Sequence, residues 1–319
     1  MVCVIEGSGF PASYRRLHRA RPFSVAWTRA DIARSLLTVG YGSRNAAIAN
    51  VGRWRAHLLL NMVRGYLDPA LVPTPYFWNL EQSERVVVSF LFGQAFTHRF
   101  AQHQMGIPHL LHAQGLWTRA GRSARPKTGA SPSRPRSRPD FIGFEGAEVH
   151  VLESKGRSGR KQTAKEEADA LGQVSVVGRV GRIAPTTRVA CFSCFGLGGS
   201  RVFAIDPPAD SIDLLNLSYD EWFILRRAHQ FFLEDHKEEF ELWTEERVRF
   251  IGAPLGQFVY AIDKEVLGFL LSGDAQGERA TVSLQKVLAE KQELYARLNT
   301  ETRSVGPDGV MVIDRTHGE

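Results

Sequence analysis

The pattern of apolar and polar positions predicts a β-hairpin near the middle of the chain. Apolar and β-branched residues flank the dipeptide Glu145-Gly146, and a glycine-containing dipeptide between two such runs is typical of a tight turn. The predicted strands cover residues 141–144 and 147–155. Folding through the turn brings the start of the first strand beside the end of the second, so residues that are distant in sequence can meet there.

Helical periodicity surrounds this hairpin. Apolar residues recur every three or four positions, as in amphipathic helices, in three segments: residues 29–66, 81–104 and 161–176. Short apolar runs predict further strands at residues 107–112, 189–195 and 202–205. Helices that alternate with strands in this way favour the α/β class, in which helices cover the faces of a central sheet.

Proline residues mark two boundaries along the chain. Pro69, Pro73 and Pro75 precede the central segment, and Pro207 and Pro208 follow it. The first 23 residues combine glycines, prolines and arginines, and we expect them to form a loosely ordered lead-in. Three regions are therefore expected: an N-terminal helical region at 1–75, an α/β core at 76–206 and a mostly helical C-terminal region at 207–319.

Composition limits the class of protein. The 319 residues are 43% hydrophobic, which is enough for a sizeable core, and the net charge of +6 suits contact with phosphate groups. Three cysteines cannot form a disulfide framework, and no segment approaches the ~20 apolar residues of a membrane span. We therefore expect a soluble, cytoplasmic protein without membrane contact.

Three charged residues at the open end of the hairpin are candidates for catalysis. Asp140 lies about five residues before the turn and Glu153 about seven after it, so at ~3.3 Å per residue the two carboxylates return to nearly the same level. Lys155 shares a face with Glu153, since side chains alternate along a strand. Two carboxylates beside an ammonium group are what a hard divalent cation and a phosphodiester require. The pattern therefore predicts metal-dependent phosphodiester hydrolysis.

The hairpin carries Pro139-Asp140 and, after a short gap, Glu153-Ser154-Lys155. This motif resembles the signature of the PD-(D/E)XK, or restriction-endonuclease-like, nuclease superfamily, which implies a core with a mixed central β-sheet flanked by helices. The resemblance implies that Asp140 and Glu153 hold Mg²⁺, which Mn²⁺ can replace. The backbone carbonyl of Ser154 is then expected as a further ligand, and Lys155 is expected to assist the attacking water. The implied activity is hydrolysis of DNA phosphodiesters, and restriction, phage defence and DNA repair are the roles that fit it.

The resemblance covers roughly residues 80–205 and adds one more ligand. It implies a glutamate on the helix before the first strand of the core, and Glu84 or Glu81 could serve there. Gln94 lies closer to the expected distance from that strand, but an amide would make only a polar contact. The other interpretation of both acids is that they begin a helix and complement its dipole. We take Glu84 as the candidate ligand.

Residues 117–138 differ in composition from the rest of the chain. They are rich in Gly, Ser, Pro and Thr and contain no acid, so they are expected to form a basic flexible loop without a core of its own. The loop directly precedes Asp140, where it could close on DNA phosphates or act only as a solvated linker. Its candidate DNA-binding residues are Arg119, Arg122, Arg125, Lys127, Arg134, Arg136 and Arg138.

A protein of another class fits the same features. A catalytically silent subunit that keeps the fold could bind DNA or act as a scaffold in a multiprotein complex. Aromatic stripes in the C-terminal region could cover a protein partner or, in a homo-oligomer, a second copy of the chain. Cleavage that appears with Mg²⁺ and disappears with a chelator separates the enzyme from the silent subunit.

Overall fold

The structure is a computed structural model that describes most of the chain. The described residues are 3–39, 47–113, 139–159, 161–207, 215–217, 222, 226, 229, 241–272 and 277–316. In chain order their strands are β1 (Cys3–Ser8), β2 (Phe23–Val25), β3 (His109–His112), β4 (Phe141–Glu145), β5 (Glu148–Ser158), β6 (Val177–Val180), β7 (Thr187–Gly196), β8 (Gly199–Ile205), β9 (Leu215–Leu217), β10 (Glu241–Glu245), β11 (Val248–Leu255), β12 (Phe258–Asp263), β13 (Arg303–Val305) and β14 (Val310–Asp314). Their helices are α1 (Arg15–His18), α2 (Arg29–Val39), α3 (Ala47–Tyr66), α4 (Pro75–Trp78), α5 (Gln82–Gln104), α6 (Ala164–Ser175), α7 (Lys264–Ser272) and α8 (Gly277–Leu298). Among the described helices, none has the length and apolar character needed to cross a membrane.

The largest sheet of the described residues has seven strands in the order β2-β1-β8-β7-β5-β4-β3. Strand β1 runs parallel to β8 and β5 runs parallel to β7, while the other neighbouring strands are antiparallel. The predicted α/β class with a mixed central sheet is therefore confirmed. The predicted hairpin is also confirmed, and its turn contains Gly146 at a φ of +55°, which favours glycine.

Helices cover both faces of this sheet. On one face α5 packs through Phe92, whose ring centroid lies 5.8 Å from that of Phe195 of β7. On the other face α6 buries Ala170 against Ala190 and Phe192 of β7. Since alternate residues of a strand point to opposite faces, this packing determines which side chains of β5 and β7 face each helix.

Helix α5 comes very close to β5 at Gly156. A Cβ atom on Gly156 would lie 1.6 Å from the carbonyl oxygen of Ser89, so a larger residue would require the helix to move. Gly93 lies on the helix side of the same contact, because a Cβ atom there would lie 2.6 Å from the Gly156 nitrogen. The glycine that follows Lys155 therefore allows α5 to pack directly against the strand that carries the candidate catalytic residues.

The C-terminal part of the chain forms a second sheet of five antiparallel strands, in the order β10-β11-β12-β14-β13. A buried polar cluster joins this part to α2 and α5. The fully buried Arg34 donates hydrogen bonds to Ser304 Oγ at 3.0 Å and to Gln102 Oε1 at 2.7 Å. It also contacts Asp308 Oδ1 at 3.4 Å. Charged and polar groups from three distant segments thus satisfy one another inside the protein.

Both ends of the chain differ from the sequence-based expectation. Residues 3–8 and 23–25 were expected in a helical region with a loosely ordered lead-in up to residue 23, but they form β1 and β2 of the main sheet. The C-terminal region, expected to be mostly helical, contains the five-stranded sheet. Strand β1 pairs with β8, which is far away in sequence, so local periodicity could not reveal this pairing. The boundaries after residues 75 and 206 stay predictions, and one hydrophobic core includes side chains from all three regions.

Candidate metal-binding and catalytic site

The β4–β5 hairpin brings Asp140 and Glu153 together. Phe141 of β4 lies opposite Leu152 of β5, and the same register places Asp140 opposite Glu153. The backbone N–H of Asp140 donates a hydrogen bond to Glu153 Oε2 at 3.0 Å. The backbone N–H of Ser154 donates one to Asp140 Oδ2, also at 3.0 Å. These crossed hydrogen bonds hold the two acids next to each other, as the sequence spacing predicts.

Lys155 completes this group. Its Nζ donates a hydrogen bond to Glu153 Oε1, as expected for two side chains on one face of the strand. The Glu153 side chain is 1% exposed and that of Lys155 is 25% exposed, so the ammonium group lies between a buried carboxylate and solvent. Ala190 and Phe192, which pair with these two residues in register, contact α6. The candidate catalytic residues Asp140, Glu153 and Lys155, named the catalytic cluster for this proposed role, therefore lie on the α6 side of the sheet.

Both acids of the catalytic cluster have raised pKa values. Burial and the neighbouring charge of Asp140 raise the pKa of Glu153 to about 8, although Lys155 acts in the opposite direction. Burial likewise raises the pKa of Asp140, against the effects of the Ser154 N–H and of Lys155. One ammonium group balances the charge of only one of the two buried carboxylates. A bound divalent cation would supply the remaining positive charge.

The metal-free protein is expected to lose stability as the pH rises from about 5 to about 8. In the unfolded chain Glu153 loses its proton near its ordinary pKa of 4.5, whereas the folded protein keeps that proton up to a pKa of about 8. Over this window the folded state binds more protons, so the free energy of unfolding falls as the pH rises. Glu153→Gln, which mimics the protonated acid, should make this fall smaller. Thermal unfolding in EDTA between pH 5 and pH 9 measures it, and an equally steep fall in the variant would contradict the raised pKa.

Ser154 lies on the opposite face of β5 from Glu153 and Lys155. Its backbone N–H holds the carboxylate of Asp140. Its Oγ is buried and has no hydrogen-bond partner among the residues that the structure describes. The structure therefore gives the Ser154 backbone a positioning role in the cluster, while the role of its carbonyl as a metal ligand stays a prediction.

The structure places Glu84 in a capping box at the start of α5. Glu84 Oε2 accepts a hydrogen bond from the backbone N–H of Glu81 at 3.2 Å, and Glu81 Oε2 accepts one from the backbone N–H of Ser83 at 2.8 Å. Both acids are exposed, and α5 covers the face of the sheet opposite to that of Glu153. This geometry favours the interpretation of the two acids as helix-start residues.

Gln94 is buried in the middle of α5. Its neighbour Gly93 faces the backbone of Lys155 and Gly156, because a Cβ atom on Gly93 would lie 3.2 Å from the Lys155 carbonyl carbon. Gln94 is therefore at the level of the catalytic cluster along β5, although it lies on the other face of the sheet. Its polar contact with the site stays a prediction.

Arg157 was not among the residues that the sequence pattern singled out. Strand β5 continues to residue 158, so alternation places Arg157 on the same face as Glu153 and Lys155. Its Nε donates a hydrogen bond to Glu166 Oε1 of α6 at 3.1 Å, and its side chain is 25% exposed. The signal is the period of two itself, which Gly156 and Gly159 obscure because glycines are typical of loops.

A further cation, Lys161, lies on the α6 side of the sheet. Its Nζ lies 4.6 Å from the ring centroid of Phe203, which is a cation–π distance. Phe203 of β8 pairs with Phe192 of β7, and Phe192 pairs with Lys155 of β5. Lys155, Arg157 and Lys161 thus lie on the same face of the sheet as the two carboxylates, and these three cations are called the basic face.

The predicted basic loop lies outside the described residues, as do all seven of its cationic candidates: Arg119, Arg122, Arg125, Lys127, Arg134, Arg136 and Arg138. The residues that flank it are described. The backbone N–H of Ala113, on its N-terminal side, donates a hydrogen bond to the carbonyl oxygen of Asp140 at 2.8 Å. The flanking residues on both sides therefore lie beside the catalytic cluster.

The catalytic cluster contains the groups that metal-dependent phosphodiester hydrolysis uses. Two acids converge, their pKa values are raised, and a lysine contacts one of them. Perturbed ionisable groups gathered in one place are a common feature of functional sites. No protein-family model, curated protein or solved structure matches the chain, so these residues themselves carry the functional argument.

Proposed function

We propose that this protein is a Mg²⁺-dependent deoxyribonuclease with a restriction-endonuclease-like core. The observation that carries the proposal is the convergence of Asp140 and Glu153, two acids with raised pKa values, beside the ammonium group of Lys155. The mixed sheet between two layers of helices is compatible with the core that the PD-(D/E)XK motif implies. The basic face adds positive charge near the acids, which suits a nucleic-acid substrate.

The donor set of the cluster fits a hard divalent cation. Asp140 and Glu153 offer carboxylate oxygens, and Mg²⁺ typically binds through one or two carboxylates while it keeps several waters. The raised pKa values of both acids are compatible with this fit, because burial disfavours the charged form of each acid and a bound cation would offset that cost. When bound, Mg²⁺ supplies a Lewis acid for the phosphate and lowers the pKa of a coordinated water.

The side chains of the cluster would position the substrate around the cation. Lys155 contacts Glu153 and has further N–H donors, so it can orient the attacking water and stabilise the charge that develops on the phosphate. Arg157 and Lys161 can contact neighbouring phosphates, and such contacts fix the register of a nucleic acid on a protein. The chemistry is thus assigned to the α6 side of the hairpin.

Cleavage of plasmid DNA by the purified protein tests the proposal. Activity should appear with Mg²⁺ or Mn²⁺ and should disappear with EDTA. DNA binding without cleavage in either metal would instead favour a catalytically silent DNA-binding or scaffold subunit. Restriction, phage defence and DNA repair are the proposed roles, and substrates that differ in methylation, ends and lesions would separate them.

The basic segment 117–138 is expected to contribute affinity for DNA but no chemistry. A Gly/Ser replacement of residues 121–136 removes five of its seven cations. Each phosphate contact that is lost should reduce the slope of log affinity against log salt by ~0.9, while turnover at saturating DNA should persist. Binding across a salt series measures the slopes. Superimposable slopes would mean that the segment does not contact phosphate, and lost turnover at saturation would mean that it helps to build the site.

A further inference from the structure

A second group of side chains that could bind a metal lies at the turn of the β4–β5 hairpin. Glu145 ends β4, Glu148 begins β5 opposite it, and His150 follows two residues later. One ligand atom from each of the three lies within 4.8 Å of the other two. Asp140 lies at the other end of the hairpin, five residues before Glu145. At ~3.4 Å per residue, about 17 Å of strand separates the turn from the catalytic cluster.

The turn group also lies on the opposite face of the sheet from the catalytic cluster. Glu148 and His150 occupy even-numbered positions of β5, whereas Glu153 and Lys155 occupy odd-numbered ones. Glu145 pairs with Glu148 in register and shares its face. A metal ion bound at the turn would therefore be separate from one bound at the catalytic cluster.

His150 supplies an independent indication of a ligand. Its ring is fully buried, and its Nδ1 lies 3.0 Å from Thr187 Oγ1. Its Nε2 has no hydrogen-bond partner within the described part of the chain, and it lies 3.8 Å from Glu148 Oε2 and 4.0 Å from Glu145 Oε2. These distances are too long for hydrogen bonds, and a buried polar atom without a partner is uncommon in folded proteins. A cation between the nitrogen and the two carboxylates would satisfy all three groups.

We propose that Glu145, Glu148 and His150 bind one divalent transition-metal ion, with Zn²⁺ as the best match. Zinc binds imidazole nitrogens and carboxylate oxygens at ~2.0–2.2 Å, often with three protein ligands and one open position. Two ligand atoms on one tetrahedral ion then lie ~3.4 Å apart. Because the three ligand atoms lie within 4.8 Å of one another, glutamate shifts of at most ~1.4 Å would complete the site. The two glutamate side chains are 46% and 55% exposed, so they are free to make such shifts.

Thr187 has the position of a supporting residue for this site. Metal-bound histidines commonly donate their second ring N–H to an oxygen atom, which fixes the orientation of the ring. Thr187 Oγ1 can accept that hydrogen bond from His150 Nδ1, and the lone pair of Nε2 is then directed at the glutamates. The imidazole ligand favours a transition metal over Mg²⁺, which prefers oxygen.

The proposed zinc site is open to solvent on one side. Glu145 and Glu148 line a cavity of about 780 Å³, whose wall also carries Arg15 and Arg16. Water or a small anion could reach an open coordination position from this cavity, and the two arginines favour the anion. The metal could enter by the same route.

Zinc binding by a matched set of full-length variants tests the proposal. Asp140→Asn/Glu153→Gln serves as the host, because it removes the charged carboxylates of the catalytic cluster as competing ligands. Calorimetric titration of the host with Zn²⁺ should show one site per chain. Adding Glu145→Gln/Glu148→Gln should weaken that site by more than about 10-fold, since even the loss of a supporting residue has an effect of this size.

The control in the same host is Glu290→Gln/Glu293→Gln, which removes two exposed acids of α8 and should bind zinc as the host does. Zn²⁺ should also raise the unfolding temperature of the host and of this control but not that of the Glu145→Gln/Glu148→Gln protein, because a ligand that binds the folded state stabilises it. Equal zinc affinity with and without Glu145→Gln/Glu148→Gln, or a host that binds no zinc, would overturn the proposal.

Discussion

Asp140→Ala and Glu153→Ala are each expected to abolish Mg²⁺-dependent DNA cleavage while the protein stays folded. Each change removes one of the two carboxylates proposed to hold the metal. A loss of several kcal/mol of charge stabilisation corresponds to about three powers of ten in rate. Folding should persist, because burial disfavours the charged form of both acids, so removal of either one takes away a group whose charge is unfavourable in the folded protein. Plasmid cleavage and circular dichroism of the purified variants measure the two effects.

Conservative variants separate the charge of these acids from their shape. Asp140→Asn keeps an oxygen that can accept the hydrogen bond from the Ser154 N–H, and Glu153→Gln keeps the volume of the buried side chain. Calorimetric titration with Mn²⁺ measures metal binding, and plasmid cleavage measures activity. We expect both to be lost together in these variants. Undiminished cleavage by the Asp140→Ala protein would contradict the metal assignment.

Glu84→Gln is the matched control on α5. It should retain cleavage, because the structure engages Glu84 with the backbone N–H of Glu81 and a glutamine oxygen can accept the same hydrogen bond. A loss as large as that of Asp140→Asn would instead place Glu84 in the metal site, as the resemblance to the nuclease superfamily implies.

Lys155→Ala is expected to lower the cleavage rate by about two to four powers of ten while metal binding is retained. The ammonium group contacts Glu153 and is partly exposed, so its loss removes a donor to the water and the phosphate but leaves both proposed carboxylate ligands in place. Single-turnover cleavage and Mn²⁺ titration measure the two quantities separately.

Lys165→Ala, which removes an exposed lysine of the neighbouring helix α6, is the control for loss of positive charge. It should cleave DNA at close to the wild-type rate. If Lys155→Ala lost Mn²⁺ affinity but turned over normally at saturating metal, the role assigned to Lys155 would be wrong.

The catalytic cluster could be predicted from the sequence because it depends on local properties. A glycine turn sets the register of the hairpin, and the register places Asp140 opposite Glu153. The alternation of side chains then places Lys155 on the face of Glu153, whatever packs around the strand. The α/β class followed in the same way from the periods of the central segments, whereas the mixed sheet was implied by the resemblance to the nuclease superfamily.

Only the tertiary structure decided the features that depend on distant partners. Strand β1 acquires its place in the main sheet through β8, where Val4 pairs with Arg201. His150 is buried and held by Thr187 of a neighbouring strand, which makes the turn a candidate zinc site. These features result from pairing and packing between surfaces that only the whole fold brings together, and such contacts leave no periodic signal in the sequence near either partner.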